Sequence, residues 1–423
     1  MRLWYHNRFV SLKNILENNY QILFRVFLGI NIVFLNFVLS ATVTPVVYGN
    51  IALLIYIIKS STYSGFGVTQ GFIYFALRER EKDYFYTYFA FYFFTVLLVV
   101  FLLGEYFNIY ASLLLLILFG IFLFEPFLKT RKNYYLVYFP EVILLLSFLT
   151  VSFISPNDLQ SQNYQMVLLM VLLGTILVIS FQIKQVKTLL IFSKKRLSFK
   201  RLGLLLNKGQ GVYFFSILFI TFMLIDRHMY KEVFGGDVLG VVMLALNFVL
   251  ASQFLVTTLN ASSVVELGEE LKLKGFISKK HLKAKLKKSF MLGFTFYVLF
   301  GFIVYFLKDI YFEAYLLLFE VYLIVGAAMI IYNVYSSVSN TLFFYSKTLL
   351  PVSLFLLLNV FVLLNLFFLS INVEFIEALT INFVGLSVCS MVLIFYVYHF
   401  ALNKKGYNMT HSKKHCSEMV DSK

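Results

Sequence analysis

Residues 46–77 read VVYGNIALLIYIIKSSTYSGFGVTQGFIYFAL, thirty-two positions with one charged side chain, Lys59. A run this long and this apolar has one physical destination. About 20 apolar residues in a helix cross a hydrocarbon layer of about 30 Å. Lipid offers no partner for backbone N–H and C=O groups, so the segment must satisfy them internally as a helix. Eleven further runs of the same kind follow or precede it, at 22–43, 84–103, 109–128, 134–154, 164–183, 212–230, 238–259, 289–307, 314–335, 349–369 and 376–399. The expectation is an all-α polytopic membrane protein of about twelve transmembrane helices, with short connectors and two moderate loops.

Composition agrees. The 423 residues are 60% apolar and 13% charged, with 51 Phe and 29 Tyr, and the mean hydropathy is +0.83. A soluble domain is about half apolar and a quarter charged. A soluble enzyme and a disordered regulator are excluded. The two cysteines, Cys389 and Cys416, make no disulfide framework. The first run is too long for a signal-peptide core and contains Arg25.

The net charge of +15 would suggest nucleic acid in a soluble chain. In a membrane protein it first reports orientation, because basic residues stay on the cytoplasmic side. With the N-terminus inside, 31 of the 36 basic residues fall in cytoplasmic segments, and only Lys231 and Lys308 fall outside. Both termini are therefore expected in the cytoplasm, and no nucleic-acid partner is called for. The loop at 272–288 reads either as a topology determinant or as an interfacial helix on anionic headgroups.

A long basic loop after the sixth run divides the chain into six spans plus six, an N-terminal lobe over 1–200 and a C-terminal lobe over 201–423 with a basic tail. A faint repeat accompanies the division. The second span opens Val47-Tyr48-Gly49-Asn50-Ile51-Ala52 and turns polar at Lys59-Ser60-Ser61-Thr62. The eighth opens Val238-Leu239-Gly240-Val241-Val242-Met243 and turns polar at Ala251-Ser252-Gln253. A duplicated bundle with its site in a central cavity between the lobes is a transporter plan.

No Walker A sequence, nucleophile elbow or paired metal-ligand motif is present, so neither catalysis, a cofactor nor a metal is expected. Gly65, Gly67 and Gly71 have the wrong spacing for a dinucleotide fingerprint. His411, His415 and Cys416 read as part of a solvated tail. The information lies in charges within the spans, each costly unless it faces a partner or a wet cavity. Lys59 sits about 13 residues, roughly 20 Å, from the outer end of its span, too deep to snorkel. The polar, small stretch from Lys59 to Gly67 reads as a loosened helix lining a wet cavity; a structural salt bridge is the other reading. Arg25 stands about a turn inside the cytoplasmic edge, placed either to snorkel or to face the cavity. Asp226 and Arg227 lie near the outer end of the seventh span, pointing about 100° apart, and either face the central space or anchor the interface. Glu320, about two turns inside the tenth span by this reading, is with Asp226 a candidate for proton or cation coupling. Glu125 and Glu141 read as structural. Tyr84, Tyr88 and Tyr92 form an i, i+4, i+8 stripe, fitted either to packing or to stacking on sugar rings.

The entry Pro45-Val46-Val47-Tyr48-Gly49-Asn50-Ile51-Ala52 resembles the "YG-x-x-A" start of polysaccharide-repeat flippases, the Wzx-type O-antigen transporters of the multidrug/oligosaccharidyl-lipid/polysaccharide exporter superfamily. Asp226-Arg227 followed by Gly236-Asp237-Val238-Leu239-Gly240 resembles that family's junction between spans seven and eight, although Val241-Val242 stands where the family's helix start has x-Tyr. The resemblance implies a non-enzymatic two-lobed bundle in the bacterial inner membrane. It would serve lipopolysaccharide biosynthesis, moving an undecaprenyl-diphosphate-linked oligosaccharide by alternating access. The partners it implies are that lipid-linked oligosaccharide, membrane lipids and other polysaccharide-assembly membrane proteins. Arg25, Lys59 and Arg227 would then bind the diphosphate by charge-assisted hydrogen bonds. Two other readings stand beside it: a membrane polymerase of lipid-linked repeat units, which calls for large outward loops, and a cation-coupled drug exporter of the same superfamily, which calls for an acidic cavity.

Overall fold

The computed structural model describes residues 29–60, 67–76, 81–104, 134–176, 197–259, 278–344, 349–369 and 374–403, with positions 27, 113 and 180. Among these residues there is no strand. The longer helices are α1 (Gly29–Thr42), α2 (Pro45–Ser60), α3 (Val68–Ala76), α4 (Glu81–Gly104), α5 (Tyr134–Ile154), α6 (Gln165–Ile176), α7 (Phe199–Phe234), α8 (Gly236–Leu259), α9 (Lys279–Tyr311), α10 (Leu318–Phe344), α11 (Leu349–Leu369) and α12 (Phe375–Asn403), and a short helix, Pro156–Gln160, lies between α5 and α6. The expected span at 109–128 lies outside the described residues, apart from position 113. Of the described helices, α8, α9, α10 and α12 are each long and apolar enough to cross a membrane, and the two arms of α7 together make a fifth. The chain is a multi-pass membrane protein.

Two of the departures from the lengths read in the sequence have a local reason. The expected second span is two helices. α2 is described to Ser60, residues 61–66 lie outside the described residues, and α3 begins at Val68, entered through Gly67 at φ +89°, a left-handed conformation that a side chain disfavours. The equivalent polar stretch in α8 does not break, because Ala251-Ser252-Gln253 keeps helical residues and the Ser252 hydroxyl bonds back to the Val249 carbonyl at 2.7 Å. α7 is longer than its apolar run. An arm, Phe199–Gln210, meets the arm Tyr213–Phe234 at 58°, and the break falls at Gly211-Val212, where a glycine weakens the helix.

Helix packing crosses the middle of the sequence. α8 lies on α2, and the first arm of α7 lies on α3. Glycine makes both contacts possible. A methyl group on Gly49 would stand 2.8 Å from the Gly240 nitrogen, and one on Gly240 would collide with the Pro45 carbonyl oxygen. The two glycines of the sequence repeat thus meet each other. At the other contact a methyl group on Gly209 would collide with the Gly67 carbonyl. The Asn247 amide donates to the Tyr48 hydroxyl beside the first contact.

The connector 312–317 is also tied to the first half of the chain. Tyr315 is buried, its hydroxyl donates to the Ser40 carbonyl at 2.9 Å, and its ring meets Tyr48 edge-on at 6.1 Å. Phe312 sets its ring against Phe37 at 4.9 Å. α8 is the most enclosed of the four long apolar helices and α9 the least, so α8 is central and α9 peripheral.

Candidate functional site

The second arm of α7 carries Asp226, Arg227 and Tyr230, all at most 1% exposed. Adjacent helical residues diverge by about 100°, and the two charges take different partners accordingly. Asp226 turns to α12, where the Asn382 amide donates to its Oδ1 at 2.9 Å and to the Tyr230 hydroxyl at 3.0 Å. Asn365 on α11 approaches the Asn382 carbonyl oxygen at 3.5 Å. Three helices of the second half of the chain thereby share one polar knot.

Arg227 turns the other way, to α2 in the first half. Its guanidinium carbon stands 3.7 Å from the centroid of the Tyr56 ring, a cation–π contact across the packing of the two halves. Its Nε and Nη1 are buried and have no hydrogen-bond partner. A desolvated cation with unfilled donors is costly to the fold. Chemically its open N–H donors suit an oxyanion. Burial excludes the headgroup-anchor reading of Asp226 and Arg227, although Arg227 stands only seven residues, about 10 Å, from the end of α7.

The other residues singled out in the sequence fall as follows. Lys59 is in the last turn of α2, three residues beyond Tyr56. Arg25 lies outside the described residues, as do Glu125, His411, His415 and Cys416. Glu320 is in the first turn of α10 and exposed; α10 begins at Leu318 rather than at Ala314, so this acid sits at the helix end and not two turns inside. It does not join the Asp226 knot. Tyr84, Tyr88 and Tyr92 are buried core residues. Tyr84 stacks on Phe75 at 3.9 Å and Tyr88 on Phe72 at 4.5 Å, so their spacing serves the packing of α4 on α3 and offers no face to a sugar. Among the described residues no three His, Cys, Asp or Glu side chains gather into a metal-binding group.

Sequence reasoning missed Tyr56, Tyr230, Asn365 and Asn382, because attention to charges passes over neutral polar residues. The available signal was Asn359 and Asn365 in the run 349–369 and Asn382 in the run 376–399, since such residues in spans hydrogen-bond across helices. A second feature was also missed. A cavity of about 310 Å³ lies between α1, α8 and α9, walled by side chains such as Phe34, Phe37, Phe248, Phe254, Phe300 and Leu307, with no polar lining.

No protein-family model matches the sequence, and no curated protein matches it. Solved structures do. The chain is similar to the lipid II flippase MurJ in an inward closed conformation, with a TM-score of 0.66 and 13% identity, over 90% of this chain and 86% of that one. It is similar to an inward-facing multidrug resistance MATE family transporter of the MOP superfamily, with a TM-score of 0.60 and 11% identity, over 91% of this chain and 100% of that one. It is also similar to an outward-facing MATE family transporter of that superfamily, with a TM-score of 0.62 and 10% identity, over 91% of this chain and 94% of that one. At such identities the shared property is the fold, that of a polytopic membrane transporter.

Proposed function

We propose that this chain, built on the fold of the MATE transporters and MurJ, is a flippase for an undecaprenyl-diphosphate-linked oligosaccharide such as an O-antigen repeat unit. The observation that carries the reading is Arg227. A wholly buried guanidinium at the packing of the two halves, with Nε and Nη1 unpartnered, costs stability that an anionic cargo would return. A diphosphate matches it in charge and offers several oxyanion acceptors to its N–H donors. Lys59 and Arg25 complete the cationic set in this proposal, Lys59 being one turn from Tyr56 on α2.

The cargo has two chemistries, and a second feature supports the pairing. The diphosphate and sugars cannot cross hydrocarbon unaided, whereas the polyprenyl tail is soluble in it. The wholly apolar cavity between α1, α8 and α9 offers that tail a seat beside the helices that carry the polar site. Transport proceeds by rocking of two lobes, 1–200 and 201–423, in the cytoplasmic membrane of a bacterium, with both termini inside. Asp226, held by Asn382, is the coupling acid, and Glu320 has a lesser claim from the end of α10.

The buried Asp226 carboxylate also favours a second reading, a cation-coupled exporter of drugs, on the same fold. The two part in one experiment. In cells lacking this protein, single lipid-linked repeat units should accumulate in the cytoplasmic leaflet. Units that reach the outer surface and remain unjoined would instead point to a polymerase. Normal surface polysaccharide together with new sensitivity to cationic drugs would favour the exporter.

A further inference from the structure

The outward face of α9 carries a feature that transport does not use. α9 has 33 residues, about 50 Å of helix, against about 30 Å of hydrocarbon. Its first ten residues, Lys279 to Lys288, read KKHLKAKLKK, and no acid occurs from Lys279 to Lys308. The segment is helical and anchored. Ser278 caps it by accepting from the His281 backbone N–H at 3.3 Å, Leu282 and Lys285 are buried, and the Lys279 ammonium lies 5.3 Å from the centroid of the Tyr398 ring on α12. It continues the span as one helix, which replaces the alternative of a separate helix lying flat on the membrane.

The register of the lysines distinguishes them from a topology signal. Lys280, Lys283, Lys287, Phe290, Phe294 and Val298 recur at intervals of three and four residues and so occupy one face of the helix. All six are exposed. The apolar members of this face are the surface that α9 turns to lipid, so the lysines above them overhang the neighbouring lipid rather than the centre of the bundle. Local electrostatics oppose the arrangement. Lys283 and Lys287 are an i, i+4 like-charge pair, and cations at a helix N-terminus face the positive end of its dipole. A topology determinant needs only basic residues near the end of a span, not three lysines in register with the exposed apolar stripe and held against these costs.

We propose that this stripe is a docking surface for the anionic phospholipid headgroups of the cytoplasmic leaflet. The proposal takes the orientation from the charge asymmetry of the loops, and it is independent of the cargo. Each lysine at an anionic membrane surface contributes about a fivefold increase in association, so three acting together give at least a tenfold preference for anionic over zwitterionic lipid. The preference falls with ionic strength.

The test uses the full-length protein in vesicles of equal phosphatidylglycerol and phosphatidylcholine, extracted gently, with retained phospholipid counted by native mass spectrometry. The wild type should retain phosphatidylglycerol at least tenfold over phosphatidylcholine at low salt and lose that preference at 0.5 M salt (roughly a 4 Å screening length). The variant K280Q/K283Q/K287Q should retain both lipids equally, and K280R/K283R/K287R should behave as the wild type. Equal retention by the wild type, a preference insensitive to salt, or an unchanged preference in the Gln variant would each overturn the proposal. Should the Gln variant fail to insert, the salt titration of the wild type and the Arg variant still decides. A wild type without lipid preference, beside a Gln variant with inverted topology, would reduce the stripe to a topology signal.

Discussion

Replacing Asn382 with Leu tests the polar knot on which the coupling role of Asp226 depends. Leu keeps the approximate volume, so packing against α7 changes little, but two short hydrogen bonds disappear, the one to Asp226 Oδ1 at 2.9 Å and the one to the Tyr230 hydroxyl at 3.0 Å, together with the long one accepted from Asn365 at 3.5 Å. A hydrogen bond to a charged group is worth about 1.5–3 kcal/mol and a neutral one about 1 kcal/mol. Loss of both costs about 3 kcal/mol, most of it from a carboxylate left in a buried site with one donor fewer. The loss should be strongly non-additive. Asn382→Leu combined with Asp226→Leu removes both partners, and the double variant should recover at least about 1.5 kcal/mol relative to the sum of the singles. The assay is the midpoint of heat-induced loss of monodisperse protein in detergent for the wild type, both singles and the double. A shift of at least about 3 °C is expected for Asn382→Leu. Asn382→Leu unfolding with the wild type, or a double variant equal to the sum of its parts, would refute the knot as drawn.

Four further outcomes are expected. Arg227→Leu should abolish export while leaving the unfolding midpoint unchanged or raised, because it removes a buried cation whose Nε and Nη1 have no partner; a midpoint several degrees lower would make Arg227 structural. Lys59→Ala should abolish export at normal abundance and Lys59→Arg should keep part of it, measured as surface polysaccharide per membrane protein; full export by Lys59→Ala would remove it from the site. Tyr315→Phe deletes the bond to the Ser40 carbonyl and should cost about 1 kcal/mol and raise the labelling rate of a cysteine placed at Tyr48; unchanged labelling would mean that this bond does not hold the 312–317 connector against the first half. Reporter fusions after Lys208 and Lys288 should read cytoplasmic and one at Asn157 external, and a cytoplasmic signal at Asn157 would overturn the twelve-span topology.

The class of the protein was legible in one dimension because the bilayer is a one-dimensional filter. Whether a run such as 349–369 can live in hydrocarbon depends on its own composition and length, and α11 has those bounds. The same local logic marked Asp226 and Arg227, since a charge in an apolar run is conspicuous without any knowledge of its neighbours. It also marked Lys59 to Gly67 as a place where a helix cannot continue unchanged; residues 61–66 lie outside the described residues, and Gly67 at its end has a φ of +89°.

What folding alone decided is which residues meet. Tyr56 becomes part of the site only because α2 and α7, some 170 positions apart in the chain, bring its ring under Arg227; nothing in IALLIYIIKS distinguishes that tyrosine from a lipid-facing one. Asn382 holds Asp226 from 156 positions away. Tyr84, Tyr88 and Tyr92 show the converse: their spacing fits a sugar-binding face as well as a packed one, and only the rings of Phe72 and Phe75 lying on them decide the matter. Gly49 and Gly240 were legible as a repeat, yet the reason for glycine at both is that the backbones of α2 and α8 touch there. Partition into lipid is a property of each segment and can be summed along the sequence, whereas a contact depends on two segments at once and exists only after the helices have packed.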